Sequence, residues 1–432
     1  MIVSTADLIA IMLLIAVAVI VINDRTLCLP RPVALLLGAM LVAGAIIVSD
    51  TLISQAELRE RLRSRMLGSV WPEILLNALL ALLLFASALG VDLHMLRNRA
   101  WTVLALATAG VILAAGLFAI GIWLVLQAIG APVPLGWCLV IGAILAPTDA
   151  VAVEGLLSKV HLPPRLHAVI SGESLFNDGA AVVLFTAALA IANGDTEMLG
   201  RGHLLEAILF EGVGGAILGV VAGYLTCRAV RLTAETNVAL MISLALVLCT
   251  YRGAIALGFS GPIAVVAAGL MFSYKLNELS GADAVRFRAN LSTLWSLVDE
   301  LLNTMLYVVI GFVVLALEPS WIALAVVLAA VPMALLCRLI SVGLPVLLLN
   351  LRVPHVGRSI CVLTWAGLRG GISIALALSV PPSPYRDLLL AICFCVVIFT
   401  TVVQGLTLPR LITALYHEDH AGDAAPTDTK RH

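Results

Sequence analysis

The chain has 432 residues, of which 62% are hydrophobic and 12% are charged. A soluble domain of this length needs a polar surface that this composition cannot supply, so a soluble globular protein is excluded. The formal net charge is −1. Nucleic-acid binding requires a basic excess, so nucleic acid is excluded as a partner.

Apolar runs recur along the whole chain at about the 20-residue length that a helix needs to cross a bilayer. Taken between charged loops, these runs predict about thirteen spans. The predicted spans are Leu8–Ile22, Val33–Val48, Pro72–Gly90, Trp101–Ile129, Val133–Leu157, Leu166–Ile191, Leu204–Leu225, Val238–Tyr251, Ile255–Phe272, Leu291–Leu317, Trp321–Leu349, Ile360–Val380 and Leu388–Leu415. Residues 1–415 are therefore predicted to form one all-α polytopic membrane domain, and residues 416–432 a short, polar, disordered tail.

The basic residues predict the orientation of these spans. With the N-terminus outside, most Lys and Arg residues fall in inner loops and in a cytoplasmic C-terminus, as the positive-inside rule requires. The segment Glu57–Arg65 is the exception, because it places four arginines on the outer side. Its alternation of leucine with charge predicts an amphipathic helix at the outer interface.

The fifth predicted span contains a proline followed by polar residues, in the sequence APTDAVAV. Pro147 lacks a backbone donor and disfavours helix at the preceding residue. Thr148 and Asp149 follow at once, and a carboxylate within a span is costly. These residues predict a broken helix that binds an ion. The alternative is a plain proline kink in which Thr148 bonds back to the helix.

The sixth predicted span carries the polar sequence GESLFND. Ser174, Asn177 and Asp178 are spaced by three and four residues, so they share one helix face. Hard cations prefer several oxygen ligands, which this face offers. The face is therefore a candidate cation site. The alternative is a polar network that locks two helices together.

Two arginines also fall within predicted spans. A buried carboxylate needs a cationic partner or a proton, and Glu173 is the expected partner of Arg338 or Arg369. Glycines 367, 370 and 371 weaken the helix around Arg369 and predict a second broken span. Breaks in corresponding positions of two halves indicate an inverted-repeat transporter.

These motifs, together with the later WAGLRGGISIALALSVP and the shorter LLFASALGVDL, SGPIAVVAAGL and LLNTMLYVVIGF, resemble the cation/proton antiporter-1 family. That family includes bacterial NhaP-type antiporters and animal sodium/proton exchangers. The resemblance implies a homodimer with an NhaA/NhaP-like fold of two inverted six-helix repeats. A core bundle and a dimerisation bundle, interleaved in sequence, would move against each other in the bacterial inner membrane.

The resemblance also implies the activity. It predicts electroneutral exchange of one Na⁺ or Li⁺ for one H⁺ by alternating access, without a cofactor. A K⁺/H⁺ antiporter of the same family is the alternative cation choice. A passive channel is the rival transport class. An intramembrane enzyme would need a membrane-buried His or Lys partner for the serine of GESLFND, and the nearest candidate, His167, lies at the cytoplasmic mouth of the sixth span. No zinc-type cysteine and histidine spacing occurs, so the eight cysteines are expected to be plain thiols.

The resemblance further assigns roles to the site residues. Asp178 is expected to bind the transported cation or proton, with Thr148 and Ser174 completing the Na⁺ site. Asn177 would mark the electroneutral type, and Asp149 would lie beside the site and stabilise the helix crossing. Glu173 would form the buried ion pair, preferentially with Arg338, and Arg369 would stabilise the second broken span. Three further acidic residues are expected to line an inner funnel: Glu154, Asp299 and Glu300.

Three positions depart from the family pattern. Some relatives have a glutamate after the phenylalanine of the third span, where this chain has Ala86 and Ser87. Ile255 follows Ala254 where many exchangers have glutamate, and TDAVAV replaces TDPVAV. Glycines 215, 219 and 223 on the seventh span form a small-residue face, either for dimerisation or for packing within one subunit.

Overall fold

The computed structural model describes residues 5–53, 79–91, 93–157, 162–194, 203–232, 235–278, 282–316, 321–348 and 355–423. Across these ranges the chain forms helices and no β-strand. The helices are α1 (Thr5–Arg25), α2 (Arg31–Ile53), α3 (Leu80–Gly90), α4 (Leu93–Asn98), α5 (Ala100–Ile129), α6 (Leu135–Ile144), α7 (Ala150–Leu157), α8 (Pro164–Ala192), α9 (His203–Val230), α10 (Thr236–Ala256), α11 (Gly261–Asn277), α12 (Ala282–Phe312), α13 (Trp321–Leu348), α14 (Val356–Trp365), α15 (Gly371–Leu378), α16 (Arg386–Phe399) and α17 (Gly405–Asp423).

The all-α membrane architecture predicted from hydropathy is confirmed. Nine helices in the described part of the chain are long and apolar enough to cross a bilayer, and α3 and α6 are shorter apolar helices. Helices are the expected form because a bilayer offers no water to satisfy free backbone groups. The predicted count of about thirteen stays a prediction, and the predicted amphipathic segment Glu57–Arg65 lies outside the described residues.

Two helices are interrupted in the middle of the membrane domain, as predicted. The first interruption, residues 145–149, separates α6 from α7, and the second, residues 366–370, separates α14 from α15. The two interruptions contact each other directly, because the Asp149 amide donates a hydrogen bond of 2.8 Å to the Leu368 carbonyl. The polar residues of both broken spans therefore meet at one point inside the bundle.

The predicted boundary between the eighth and ninth spans is wrong. Helix α10 runs through Arg252 and Gly253 without a break and ends at Ala256. One charged residue does not interrupt a helix when its side chain is exposed, as that of Arg252 is. The next helix, α11, begins after Ser260, which caps it by accepting from the Ile263 amide at 3.5 Å.

Two other predicted boundaries differ. Helix α12 begins at Ala282 and not at the predicted Leu291, so the charged segment before the predicted span is helical. Helix α17 extends to Asp423, so the first residues of the predicted disordered tail are helical. In both places a helix held by apolar packing extends into a charged flanking segment, which hydropathy alone does not predict.

The glycine face of α9 packs against α11 of the same chain. A Cβ atom at Gly219 would overlap the backbone of Ala264, and one at Gly223 would crowd the backbone of Ala268. Small residues permit this close approach of two helices. Packing within one subunit therefore accounts for the glycine spacing.

Candidate cation site

The first interruption leaves backbone groups free at the centre of the bundle. Pro147 cannot donate a backbone hydrogen bond, and the chain is non-helical through Asp149. Asp149 then starts α7 as an N-terminal cap, because its Oδ1 accepts from the Ala152 amide at 3.0 Å. Thr148 lies between them and is buried.

The polar face of α8 is bound to Thr148. Asn177 Nδ2 donates to Thr148 Oγ1 at 2.8 Å, and the Thr148 amide donates to Asn177 Oδ1 at 3.4 Å. The Ser174 hydroxyl donates to the Thr148 carbonyl. These bonds form the polar lock that the sequence allowed as an alternative. The lock uses Ser174 and Asn177 and leaves Asp178 outside it.

Asp178 lies one residue beyond the lock and faces a cavity. It is 8% exposed, and its Oδ1 is a buried atom with no hydrogen-bond partner among the described residues. The cavity is about 40 Å³ and is also lined by Thr148, Asp149, Asn303 and Ser373. A buried carboxylate oxygen without a partner is costly unless it binds a proton or a cation.

Glu173 and Arg338 form a buried, bidentate ion pair. Arg338 Nη1 donates to Glu173 Oε1 at 2.6 Å, and Arg338 Nη2 donates to Oε2 at 2.9 Å. Fork geometry of this kind gives both strength and orientation to an arginine–carboxylate pair. Of the two arginines left open by the sequence, Arg338 is thus the one that contacts Glu173.

Arg369 belongs to the second interruption, but its side chain contacts the first. Its Nη1 donates to the Ala146 carbonyl and, at 2.6 Å, to the Pro147 carbonyl. These carbonyls are the ones that the broken helix leaves free, and a cation is favourable at a helix C-terminus. The guanidinium therefore stabilises the end of α6, and the expected role of Arg369 in stabilising the second broken span stays a prediction.

The second interruption is held by hydroxyl groups from the π-helical turn Thr400–Gln404 between α16 and α17. The Arg369 amide donates to Thr400 Oγ1 at 3.1 Å, and the Thr401 hydroxyl donates to the Arg369 carbonyl at 3.4 Å. Gly370 follows, and a Cβ atom there would overlap the Asp149 carboxylate. Glycine at this position lets the two interruptions touch.

Sequence reasoning missed three residues that contribute to the site: Asn303, Tyr307 and Ser373. The Tyr307 hydroxyl donates to Asp149 Oδ2 at 2.8 Å, and Ser373 lines the Asp178 cavity from α15. Asn303 and Tyr307 are four residues apart in the motif LLNTMLYVVIGF, a spacing that puts them on one helix face. That periodicity was available in the sequence, whereas nothing there indicated which helix Tyr307 would contact.

A second cavity adjoins the first. It is about 1160 Å³ and is lined by Ser87, which also lines the Asp178 cavity, and by Glu154 and Asp299. Glu300 instead pairs with Arg31. No cluster of three His, Cys, Asp or Glu side chains able to hold a metal ion occurs in the described ranges.

The sequence profile described as sodium/hydrogen exchanger, transmembrane, matches residues 10–414. The chain is 36% identical over 425 residues to the Na⁺/H⁺ antiporter NhaP of Pseudomonas aeruginosa, a match that covers 95% of this chain and 97% of that protein. It is 28% identical over 414 residues to the Na⁺/H⁺ antiporter NhaH of Halobacillus aidingensis, covering 94% of this chain and 97% of that protein.

A solved structure has the same fold. The sodium proton antiporter MjNhaP1 of Methanocaldococcus jannaschii superposes with a TM-score of 0.74 at 17% sequence identity, covering 94% of this chain and 97% of that one. The profile match extends over nearly the whole chain and agrees with the motifs of both interrupted helices. The chain therefore belongs to the sodium/hydrogen exchanger family, also called the cation/proton antiporter-1 family.

Proposed function

We propose that this protein is a secondary active transporter, and not an enzyme, that exchanges Na⁺ for H⁺ at Asp178. One observation carries the proposal. Asp178 is a buried carboxylate with an unpartnered oxygen that lines a cavity where two interrupted helices meet. Relatives that match nearly the full chain are named Na⁺/H⁺ antiporters, which supports the same pair of ions here.

The charges at the crossing support competition between one cation and one proton. At the crossing itself, two guanidinium groups, Arg338 and Arg369, lie with three carboxylates, Glu173, Asp149 and Asp178, so these five groups carry one net negative charge, while Asp299 lies in the adjoining cavity. A bare charge in a medium of low dielectric is penalised, so the neutral site should cross between membrane faces most readily. Either one H⁺ or one Na⁺ neutralises it. Obligatory, electroneutral 1:1 exchange by alternating access follows.

The polar lock has a place in this mechanism. Asn177 is neutral and bonds both the hydroxyl and the amide of Thr148, so it adds no charge to the balance. The Thr148 and Ser174 oxygens retain lone pairs that can face a cation held by Asp178. Li⁺ fits the same hard-oxygen preference, and K⁺ is the alternative cargo. Interrupted helices are the elements expected to move between inward and outward states, in a homodimer with its N-terminus outside.

The test is cation-induced collapse of a preset pH gradient in proteoliposomes that contain the full chain. Na⁺, Li⁺ and K⁺ are compared as chloride salts, with protein-free liposomes as the control. The proposal expects Na⁺ and Li⁺ to dissipate the gradient without generating a membrane potential. No dissipation by any of the three cations would remove the antiporter assignment. Dissipation by K⁺ alone would show that K⁺, and not Na⁺, is the transported cation.

A further inference from the structure

Ser373 is a polar residue that the expected ligand set does not include. It lies in α15, directly after the second interruption, and is 1% exposed. Its Oγ has no hydrogen-bond partner among the described residues. A buried hydroxyl without a partner requires an explanation.

The position of Ser373 explains why its hydroxyl has no protein partner. Ser373 and Asp178 line the same cavity, and Ser373 Oγ and Asp178 Oδ1 are both buried oxygens without a protein partner. The hydroxyls of Ser174 and Thr148 also form the polar lock, whereas that of Ser373 has no protein partner among the described residues. A hard monovalent cation is stabilised by additional oxygen ligands, and a hydroxyl oxygen is such a ligand.

We propose that Ser373 is a further cation ligand, contributed by the second interrupted helix, and that it helps determine affinity for Na⁺. This assignment rests on the proposed function. It gives each interrupted helix a contact with the cation, since Thr148 belongs to the first and Ser373 to the second. Occupancy of the site then ties α15 to the α8 face.

The test compares Ser373→Ala with Ser379→Ala, a control in the same segment whose hydroxyl bonds the Ala375 carbonyl at 2.7 Å. Loss of one ligand should raise the KM for Na⁺ about three- to tenfold, the equivalent of one hydrogen bond, while the maximal rate is retained. The melting temperature without Na⁺ should not fall, because the removed hydroxyl has no partner. Ser373→Cys keeps the volume with a softer sulfur ligand and should raise the KM as well.

The outcomes separate the two proposals. No Na⁺-driven flux in the unaltered protein would overturn the proposed function. Normal flux with a KM in Ser373→Ala and Ser373→Cys within about twofold of the unaltered value would overturn only the role of Ser373. If Ser373→Ala fails to fold, the KM of Ser373→Cys alone decides whether Ser373 is a cation ligand.

A different cluster of unpartnered polar atoms lies behind the second interruption. Gln404 is 1% exposed, and both its Nε2 and its Oε1 lack a partner among the described residues. Arg338 Nε and Thr364 Oγ1 are also buried without a partner. All three residues line one small cavity of about 10 Å³ between α13, α14 and the π-helical turn, which is room for about one water molecule.

The chemistry of these atoms identifies the ligand class. Arg338 Nε and Gln404 Nε2 can only donate, Gln404 Oε1 can only accept, and the Thr364 hydroxyl does either. An anion could not satisfy Gln404 Oε1, and a cation could not satisfy Arg338. Water both donates and accepts, and a buried water typically makes about three hydrogen bonds.

We infer that this cavity is a buried water site that completes the hydrogen bonding of Arg338 and joins α13, α14 and the π-helical turn. Arg338 then has Glu173 on two nitrogens and water on the third. π-helical turns often mark functional segments, and this one also holds the backbone of Arg369. The site is independent of which cation is transported.

Thermal unfolding of Gln404→Met, compared with Gln127→Met at the exposed end of α5, tests this inference. Loss of water-mediated bonds should lower the melting temperature by about 2–4 °C. If the cavity is dry, removing two unsatisfied polar atoms should leave stability equal or higher, which would overturn the inference. Density maps of the unaltered protein at a resolution that shows ordered solvent provide the second measurement. Chloride-dependent density, or none, in this cavity would also overturn it.

Discussion

At residues 145–149 the chain offers oxygen atoms to the centre of the bundle, whereas at residues 366–370 it offers a guanidinium and a glycine. The first interruption exposes two carbonyls, which accept from Arg369, and the Thr148 oxygens and the Asp149 carboxylate. The second is closed by the Thr400 and Thr401 hydroxyls. The first interruption therefore carries a negative side chain, Asp149, and the second a positive one, Arg369.

This difference explains how one carboxylate can stay available. Arg369 compensates the carbonyl end of α6, and Arg338 neutralises Glu173. Asp149 is used as a helix cap and accepts from Tyr307. Asp178 has no such compensation at its Oδ1. Oxygen from one broken helix and positive charge from the other together leave the Asp178 carboxylate available for one small cation.

Removal of the Asp178 charge, which the two interruptions leave available, should have the largest effect on transport. Asp178→Asn keeps the volume and eliminates the group that a proton and a cation would share. We expect Na⁺-induced collapse of the pH gradient in proteoliposomes to fall to the level of empty liposomes. Asp387→Asn, an exposed carboxylate in the first turn of α16, is the matched control. Unaltered flux in Asp178→Asn would contradict the assignment.

Breaking the buried ion pair tests the role of positive charge at the crossing. Glu173→Gln leaves the Arg338 guanidinium buried without its anion, which should cost about 3–5 kcal/mol of unfolding free energy. Thermal unfolding in detergent measures this loss. Glu278→Gln breaks the exposed pair with Lys275 and should change stability little, because exposed pairs contribute little.

Charge reversal distinguishes the two arginines. Glu173→Arg combined with Arg338→Glu should recover part of the lost stability, since these side chains are in contact. Glu173→Arg combined with Arg369→Glu should not. Rescue by the second combination and not by the first would show that the pairing described above is wrong.

The contact between the two interruptions gives the smallest predicted effect. In Gly370→Ala the added methyl group would overlap the Asp149 carboxylate, and overpacking of this kind costs about 1–3 kcal/mol. The Gly370 φ of −136° is available to any residue, so crowding alone is tested. Gly357→Ala in α14 has open space around it and should be neutral or slightly stabilising. An unchanged melting temperature in Gly370→Ala would mean that the two interruptions separate freely.

Local sequence patterns were sufficient for the elements and for part of the site. Pro147 and the glycines around Arg369 marked both interruptions, because backbone donors and conformational freedom are properties of single residues. The three- and four-residue spacing of Ser174, Asn177 and Asp178 placed them on one face. The helix limits near Arg252 and Tyr416 were wrong, because tertiary packing carries a helix through charges that hydropathy treats as a boundary.

By itself, the sequence determined that this chain is an all-α membrane protein with two broken helices and a costly carboxylate at Asp178. Only the tertiary structure decided that Arg338, 165 positions from Glu173, is its partner, and that Arg369 serves the opposite helix. It also placed Ser373 in the lining of the Asp178 cavity and the Tyr307 hydroxyl within hydrogen-bonding distance of Asp149. Periodicity relates residues within one helix, whereas contacts between helices depend on how their surfaces pack, which spacing along the chain does not encode.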